Sequence, residues 1–457
     1  MLTKTLTRRH FLSTSGTAVT GAMMGAAMPG IANAGADVIT AQKKALVFVM
    51  LDGGNDSFNM LVPNDGVAYD VYAKTRSNLA LSKGDLIALE HADKHGQSFG
   101  LHSAAPELAS LYNQKRLAFV SNVGPLVDRV VKEQFYDGSA QLPLGLLSHA
   151  DQFKHWQTSR PDMRKEEGWF GYFADELQSS RSAHEISMNV SLAGHNTVQN
   201  GKKDLPYSIT DQGSVGLVTN EDKAAMEDGL TESLNGLLTA DPKGDPFKET
   251  YLRLTRDAQA QHETFSAAMD GIDVPGRFPV SPLAQQLKMV ARTIAMSDRL
   301  GLEQQTFFVR YIGWDHHDQL LSTHARMLSV LSQALGAFQT ALDDMGLSDR
   351  VVTFTGSDFG RTLTSNGSGT DHGWGGNTLV MGGPVAGGRI VGDYPVLGLG
   401  DDNPLDVGDG VLIPSISTDE LYADLSLWFG VRPEALSSLF PNLHRFAEPG
   451  DRLGLFG

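Results

Sequence analysis

Residues 351–376 read VVTFTGSDFGRTLTSNGSGTDHGWGG. The β-branched run Val351-Val352-Thr353-Phe354-Thr355 predicts a buried strand, and Gly356-Ser357-Asp358 stops it. A carboxylate at the carboxyl end of such a strand stands where open α/β sheets hold their ligands. The polar, glycine-rich loop that follows reaches Asp371-His372-Gly373-Trp374-Gly375-Gly376. A carboxylate and an imidazole on a loop that glycines allow to fold tightly suit a metal ion. Taken alone, each residue reads first as turn chemistry, an Asp cap or a packed His. The functional reading depends on what else points to the same edge.

Two other strand ends carry the same signature. Lys44-Ala45-Leu46-Val47-Phe48-Val49-Met50-Leu51 is a continuous apolar run that breaks at Asp52-Gly53-Gly54-Asn55-Asp56-Ser57. Continuous rather than alternating hydrophobicity marks a strand covered on both faces, hence a central strand of an α/β sheet. Gln305-Thr306-Phe307-Phe308-Val309-Arg310-Tyr311-Ile312 predicts a further strand, ending in Gly313-Trp314-Asp315-His316-His317-Asp318-Gln319. A helix over 320–345 then leads to Val351, so strand–Asp, helix, strand–Asp occur in succession. Two adjacent parallel strands joined by a right-handed helical crossover put Asp315 and Asp358 at one edge of the sheet. His324, inside the crossover helix, reads as a surface or packing residue.

The remaining elements fit an α/β fold with a mostly parallel central sheet flanked by helices. A helix over 104–116 feeds a strand over 117–123. Ser148 reads as the N-cap of a helix in which His149, Gln152, Phe153 and Trp156 share or adjoin one face. Such a serine is a plain cap or a nucleophile, since free helix amides and the helix dipole hold anionic groups. Residues 160–275 contain a helix over 168–177, strand-like runs within 186–220 and a polar amphipathic helix over 245–269. They read as an insertion or cap packed beside the sheet. Helices are also expected over 282–301 and 418–429.

The chain has 457 residues, 41% hydrophobic and 20% charged, the composition of a soluble globular protein of one large or two ordinary domains. Its formal net charge is −16. That balance argues against nonspecific binding to nucleic acid or to anionic membranes. The absence of cysteine excludes disulfides, cysteine-based zinc sites and a cysteine nucleophile. The N-terminus, Thr7-Arg8-Arg9-His10-Phe11-Leu12, precedes a weakly apolar run to Ile31 and then Ala32-Asn33-Ala34. This predicts a twin-arginine export signal over residues 1–34, cleaved to leave a domain over 35–457 with net charge −19. The apolar run is short and broken by Pro29, a poor membrane span. The expected location is periplasmic or secreted, with the twin-arginine export machinery as a partner.

The collected set is Asp52, Asp315, His317, Asp358 and His372, with Ser148 at a helix start. Carboxylate oxygens and neutral imidazoles fit one or two divalent ions (Zn, Mn, Mg or Ca). Two such ions roughly 4 Å apart clamp the attacking and leaving oxygens of a displacement at phosphorus. Bound metal also supplies the activation that a serine hydroxyl lacks on its own.

At these residues the chain resembles the exported bacterial proteins grouped as domain of unknown function 1501. The likeness rests on the LDGGNDSFN opening (Leu51–Asn59), Ser148-His149 with Gln152 and Trp156, and Gly168-Trp169-Phe170-Gly171. It continues through Gly313-Trp314-Asp315-His316-His317, Ser357-Asp358-Phe359-Gly360-Arg361-Thr362 and Thr370-Asp371-His372-Gly373-Trp374-Gly375. More distantly the chain is similar to the alkaline phosphatase and sulfatase superfamily. That resemblance implies an alkaline phosphatase-like fold, with Asp52 and Asp358 on one metal and Asp315, His317 and His372 on the other. Ser148, with Trp156 and Thr158 downstream, is similar to the nucleophile helix of alkaline phosphatases.

The departures are specific. Asp358-Phe359 stands where the superfamily has Asp-His, and Gln319 where it has the His of Asp-x-x-x-His. His316, Asn55 and Asp371 are the substitutes at hand. Ser159-Arg160-Pro161-Asp162 approaches a sulfatase nucleophile motif, but Met163 replaces the required Arg, which disfavours a sulfatase. The expectation is an exported metal-dependent hydrolase of phosphate or sulfate esters, small or polymeric, with Ser148 as nucleophile and Arg361 as oxyanion clamp. Against it stands a noncatalytic binding or assembly protein that retains the fold.

Overall fold

In the computed structural model, Lys44–Asp52 forms β1, buried without a break from Ala45 to Leu51. The described residues are 43–178, 185–216, 229, 232–233, 236, 238–448 and 450–457; the expected export signal lies outside them. Alternate β1 side chains enter two different cores. Ala45, Val47, Val49 and Leu51 face one, Leu46, Phe48 and Met50 the other. This is the two-sided burial that the apolar run implies. Each fully buried Val, Leu or Phe contributes about 1.5–3 kcal/mol relative to exposure.

β1 pairs in parallel with the strand Gln304–Ile312 (β8) on one side and with Val351–Ser357 (β9) on the other. The strands preceding Asp315 and Asp358 are therefore not neighbours: β1 lies between them. The most continuously apolar strand takes the position covered on both faces and both edges, and the helix Leu320–Asp344 crosses over it. The register still brings three ends to one rim, since Leu51 lies opposite both Tyr311 and Ser357.

Beyond β9 the sheet continues with Gly376–Gly382 (β10), antiparallel to β9 and to Leu117–Gly124 (β5). Arg389–Val391 (β11) and Ile416–Ser417 (β12) pair in parallel with β5. At the opposite edge Asn189–Ser191 (β6) pairs with β8 and Tyr207–Ser208 (β7) with β6, both in parallel. Two stretches within residues 160–275 thus join the main sheet, while the helix Pro246–Met269 reaches the core through Phe265 and Ala268. A smaller antiparallel sheet combines Leu61–Pro63 (β2), Ile87–Ala88 (β3) and Phe99–Leu101 (β4).

Helices cover both faces, which makes this an α/β fold with a mainly parallel central sheet. Pro106–Asn113, Pro282–Ala295 and Leu320–Asp344 pack on the Val47 face. His149–Thr158, Trp169–Leu177 and Thr418–Phe429 pack on the Phe48 face, where Trp169 stacks on Tyr422 at 4.2 Å. Among the described residues no helix is long and apolar enough to cross a membrane.

Candidate metal centre

The rim is organised by the turn after β1. Ser357 Oγ donates to the Leu51 carbonyl at 2.6 Å and accepts from the Asn55 amide at 2.7 Å, locking the ends of β1 and β9 together. Gly53 has φ 123°, and a Cβ there would lie 2.6 Å from the Asp315 nitrogen. Only glycine lets the loops after β1 and β8 approach so closely.

Asp358 is 1% exposed, and its Oδ1 accepts from the Gly53 amide at 3.3 Å. Its Oδ2 lies 2.6 Å from His149 Nδ1. Burial pushes the Asp358 carboxyl up, with the Asp52 charge adding to the rise and the His149 hydrogen bond opposing it. His149 opens the helix His149–Thr158. Just before it Leu147 adopts φ 69°, a costly conformation for a bulky residue, and its carbonyl is the acceptor for His372 Nδ1 at 2.8 Å. The third imidazole, His317, places Nδ1 3.0 Å from Asp371 Oδ1.

A carbonyl and a carboxylate can only accept, so each of these Nδ1 atoms donates, and in a neutral ring Nε2 is then the nitrogen left to present a lone pair. All three Nε2 atoms face Asp315. His317 Nε2 is 3.0 Å and His372 Nε2 3.6 Å from Asp315 Oδ1, and His149 Nε2 is 3.4 Å from Asp315 Oδ2. His317 Nε2 and His372 Nε2 are 3.0 Å apart. Tetrahedral coordination at 2.0–2.1 Å sets ligand atoms about 3.3 Å apart, so the spacing fits. Atoms of His149, Asp315 and His372 likewise lie within 4.8 Å of one another. Burial lowers the His372 pKa against the Leu147 hydrogen bond, a shift towards the neutral ring that a ligand must be. Burial alone would raise the Asp315 carboxyl, but the Arg361 hydrogen bond and charge, helped by His317 and His149, hold it below its usual value.

The expected site residues divide into two groups. Asp315, His317 and His372 come together. Asp52 and Asp358 do not form a second cluster with metal-ligand spacing among the described residues. Asp52 is paired with Arg310, and Asp358 with His149. Phe359 explains the difference: its ring packs 4.7 Å from His149 and 4.4 Å from His372, filling the space that a ligating side chain would need.

Arg361, expected as an oxyanion clamp, is buried. Its guanidinium donates to the carbonyls of Gly54 at 2.9 Å, Gly53 at 2.8 Å and Thr370 at 2.9 Å, and to Asp315. It is a tie between loops, with its donors already engaged. Ser148 is the N-cap residue by backbone conformation, is half-buried and makes no side-chain capping bond. Of the substitutes, Asp371 supports His317 from its Nδ1 side, and the Asn55 oxygen accepts from His324. His316 is buried beside Trp314 and His324. His149 was absent from the expected ligand set. Its signal was its place directly after Ser148 at a helix start.

Fold and rim together define an α/β protein whose parallel strands end in a histidine–carboxylate cluster. The chain belongs to the family described as protein of unknown function (DUF1501), whose model matches residues 43–411. A comparison with curated proteins found no match. Among solved structures, Ps i-CgsB in complex with k-i-k-neocarrahexaose is 11% identical over 89% of this chain and 77% of that one, with a TM-score of 0.36. The lipoteichoic acid synthase LtaP from Listeria monocytogenes is 10% identical over 82% and 77%, with a TM-score of 0.32. The C-terminal periplasmic domain of EcEptC from Escherichia coli, in complex with Zn, is 11% identical over 91% and 92%, with a TM-score of 0.32. Each is a likeness and no more.

Proposed function

We propose that the chain is an exported, divalent-metal-dependent hydrolase of phosphate or sulfate esters. One observation carries the metal: two imidazole nitrogens whose opposite Nδ1 atoms are pinned to acceptors face each other at 3.0 Å. Two lone pairs at that distance repel unless a cation or a shared proton joins them, and the Arg361 guanidinium, 3.5 Å from His317 Nε2, has its donors spread over other acceptors. Asp315, His317 and His372 would hold the ion, with His149 reaching the same carboxylate from the other side. When bound, the ion supplies a Lewis acid for an ester oxygen and eases deprotonation of a hydroxyl.

The chain's own residues do the rest. Asp371, Asp358 and the Leu147 carbonyl fix the three ring orientations, and Arg361 holds Asp315 in place. Ser148 is assigned as the nucleophile, at a helix end whose free amides and dipole favour an anionic group. The favoured substrates are phosphate or sulfate esters, small or polymeric. The reading is tested on purified full-length protein by metal analysis together with aryl-phosphate and aryl-sulfate turnover. His372→Ala should remove the metal and the turnover; Ser148→Ala should keep the metal and lose the turnover. Absence of both metal and turnover from the wild type would sink it. Replacing Arg8 and Arg9 by lysine should retain the protein in the cytoplasm if the twin-arginine route is used.

One observation favours a second reading, a noncatalytic binding or assembly protein. Asp52 and Arg361 are both committed to protein partners. Stoichiometric metal without turnover would select it.

A further inference from the structure

A strand-end carboxylate that is not offered to a metal needs another cation, and β8 supplies one. Arg310 lies near the end of β8, opposite Met50 of β1, on the face that packs against the 149–158 helix. Its guanidinium donates to Asp52 Oδ2, its one acceptor among the described residues. The guanidinium carbon sits 4.9 Å from the ring centroid of Phe153, which belongs to the helix that starts at His149. Nε is buried and has no partner among the described residues, while the side chain as a whole is 36% exposed and that of Asp52 15%.

These groups continue the metal centre along the rim. The Asp52 charge acts on Asp358, Asp358 holds His149 Nδ1, and His149 Nε2 faces Asp315. The sequence runs cation, two carboxylates, imidazole, carboxylate, two imidazoles. Asp52 is paired with the Arg310 guanidinium and Asp358 accepts from the His149 imidazole, groups fixed to the chain.

We propose that Arg310 is the anion-binding residue of this site, supplying the second positive charge as a guanidinium, so that the chain takes a single divalent ion. A planar fork of N–H donors matches two oxygens of a tetrahedral phosphate or sulfate group, which a lysine could not do. Phe153 fixes the plane of the fork and Asp52 fixes its direction. The side chain is 36% exposed, so part of it is open to solvent, as a substrate-binding group requires. The identity of the anion rests on the ester reading above and the count of ions on the metal reading; the presence of the fork rests on neither.

The test uses full-length protein, zinc as the metal and inorganic phosphate as the probe, with metal counted by elemental analysis and phosphate binding followed by calorimetry. The wild type should hold one zinc per chain and bind phosphate. Arg310→Gln should keep that zinc and weaken phosphate binding by about tenfold or more, the worth of a charged hydrogen bond. Arg310→Lys should recover part of the loss. Asp52→Asn frees the guanidinium from its competing carboxylate and should tighten phosphate binding, whereas a purely structural ion pair would show only a lower melting temperature. Two zinc ions in the wild type, no phosphate binding, or unchanged binding in Arg310→Gln each overturn the proposal. Should Arg310→Gln not fold, weaker binding in Asp52→Asn overturns it instead. Zinc-free wild type that still binds phosphate through Arg310 would reject the metal reading and the single-ion count with it, and leave the anion-binding role of Arg310.

Discussion

His317 turns Nε2 towards Asp315 because Asp371 accepts the hydrogen bond from Nδ1 on its far side. Removing such an outer acceptor typically weakens metal binding 10- to 100-fold without touching a ligand. Asp371→Ala should therefore retain the fold and lower zinc affinity by about that factor, read by competition with a chromogenic chelator; unchanged affinity would free His317 from the site. A second residue carries a pH signature away from the rim. Asp419, in the first turn of the 418–429 helix, is fully buried and accepts from Ser159 Oγ. Burial pushes its carboxyl up to about 7, against the Ser159 hydrogen bond and the Arg160 charge. A folded-state pKa above the ordinary 3.8 means that folding favours the protonated form. The stability it contributes is complete below about pH 4 and is lost as pH rises towards 7, by up to about 4 kcal/mol. Asp419→Asn removes that slope. Denaturation midpoints at pH 5 and pH 8 should show the variant gaining on the wild type at pH 8, and an equal gap at both pH values would refute the assignment.

Strands and helices were legible where their residues form a periodic or continuous apolar pattern. β1, β8 and β9 stand where their apolar runs predict, and the helices beginning at His149, Leu320 and Thr418 start where caps and periodicity place them. Strand order was not legible, because which strand lies beside which depends on contacts between segments hundreds of residues apart. β1 consequently separates β8 from β9, and the antiparallel β10 went unforeseen. The same limit applies at the rim. Aspartates at strand ends can be read one strand at a time, but His149 reaches Asp358 across 209 residues, and Arg361 engages the turn after β1 across 308. Arg361 shows what that long-range tie is worth. It joins the loops after β1, β8 and β9, so truncation leaves carbonyls of Gly53, Gly54 and Thr370 without their donor and Asp315 without its cation. Arg361→Ala should cost about 3–5 kcal/mol in chemical denaturation, because each buried carbonyl left without its donor costs about 1–3 kcal/mol. It should also weaken zinc binding. A loss below about 1 kcal/mol, typical of an exposed pair, would return Arg361 to an open, substrate-facing role.

Within the unit Ala41–Gly457, the rim brings together three distant loops and a helix start against an electrostatic cost. Without an ion the converging Nε2 lone pairs oppose the packing of the loops after β8 and β9. With one, that repulsion would become coordination, and metal binding would be linked to folding stability. Zinc at about 1,000 times its dissociation constant should stabilise the native state by about 4 kcal/mol. The gain has a definite pH dependence. A ligating imidazole must be neutral, and burial keeps His372 below its ordinary 6.5, so protonation competes only in more acidic solution. Thermal melts with zinc and with chelator should therefore differ at pH 7.5 and still differ at pH 6.5. They should converge near about pH 5, where free imidazoles are protonated. His372→Ala should abolish the difference at every pH while leaving the chelator-treated melt close to that of the wild type, because the ring is partly exposed and its loss also removes the repulsion. Identical melts with zinc and with chelator at pH 7.5 would mean that the imidazoles share a proton instead of a metal, and the rim would then be an ionic lock between loops.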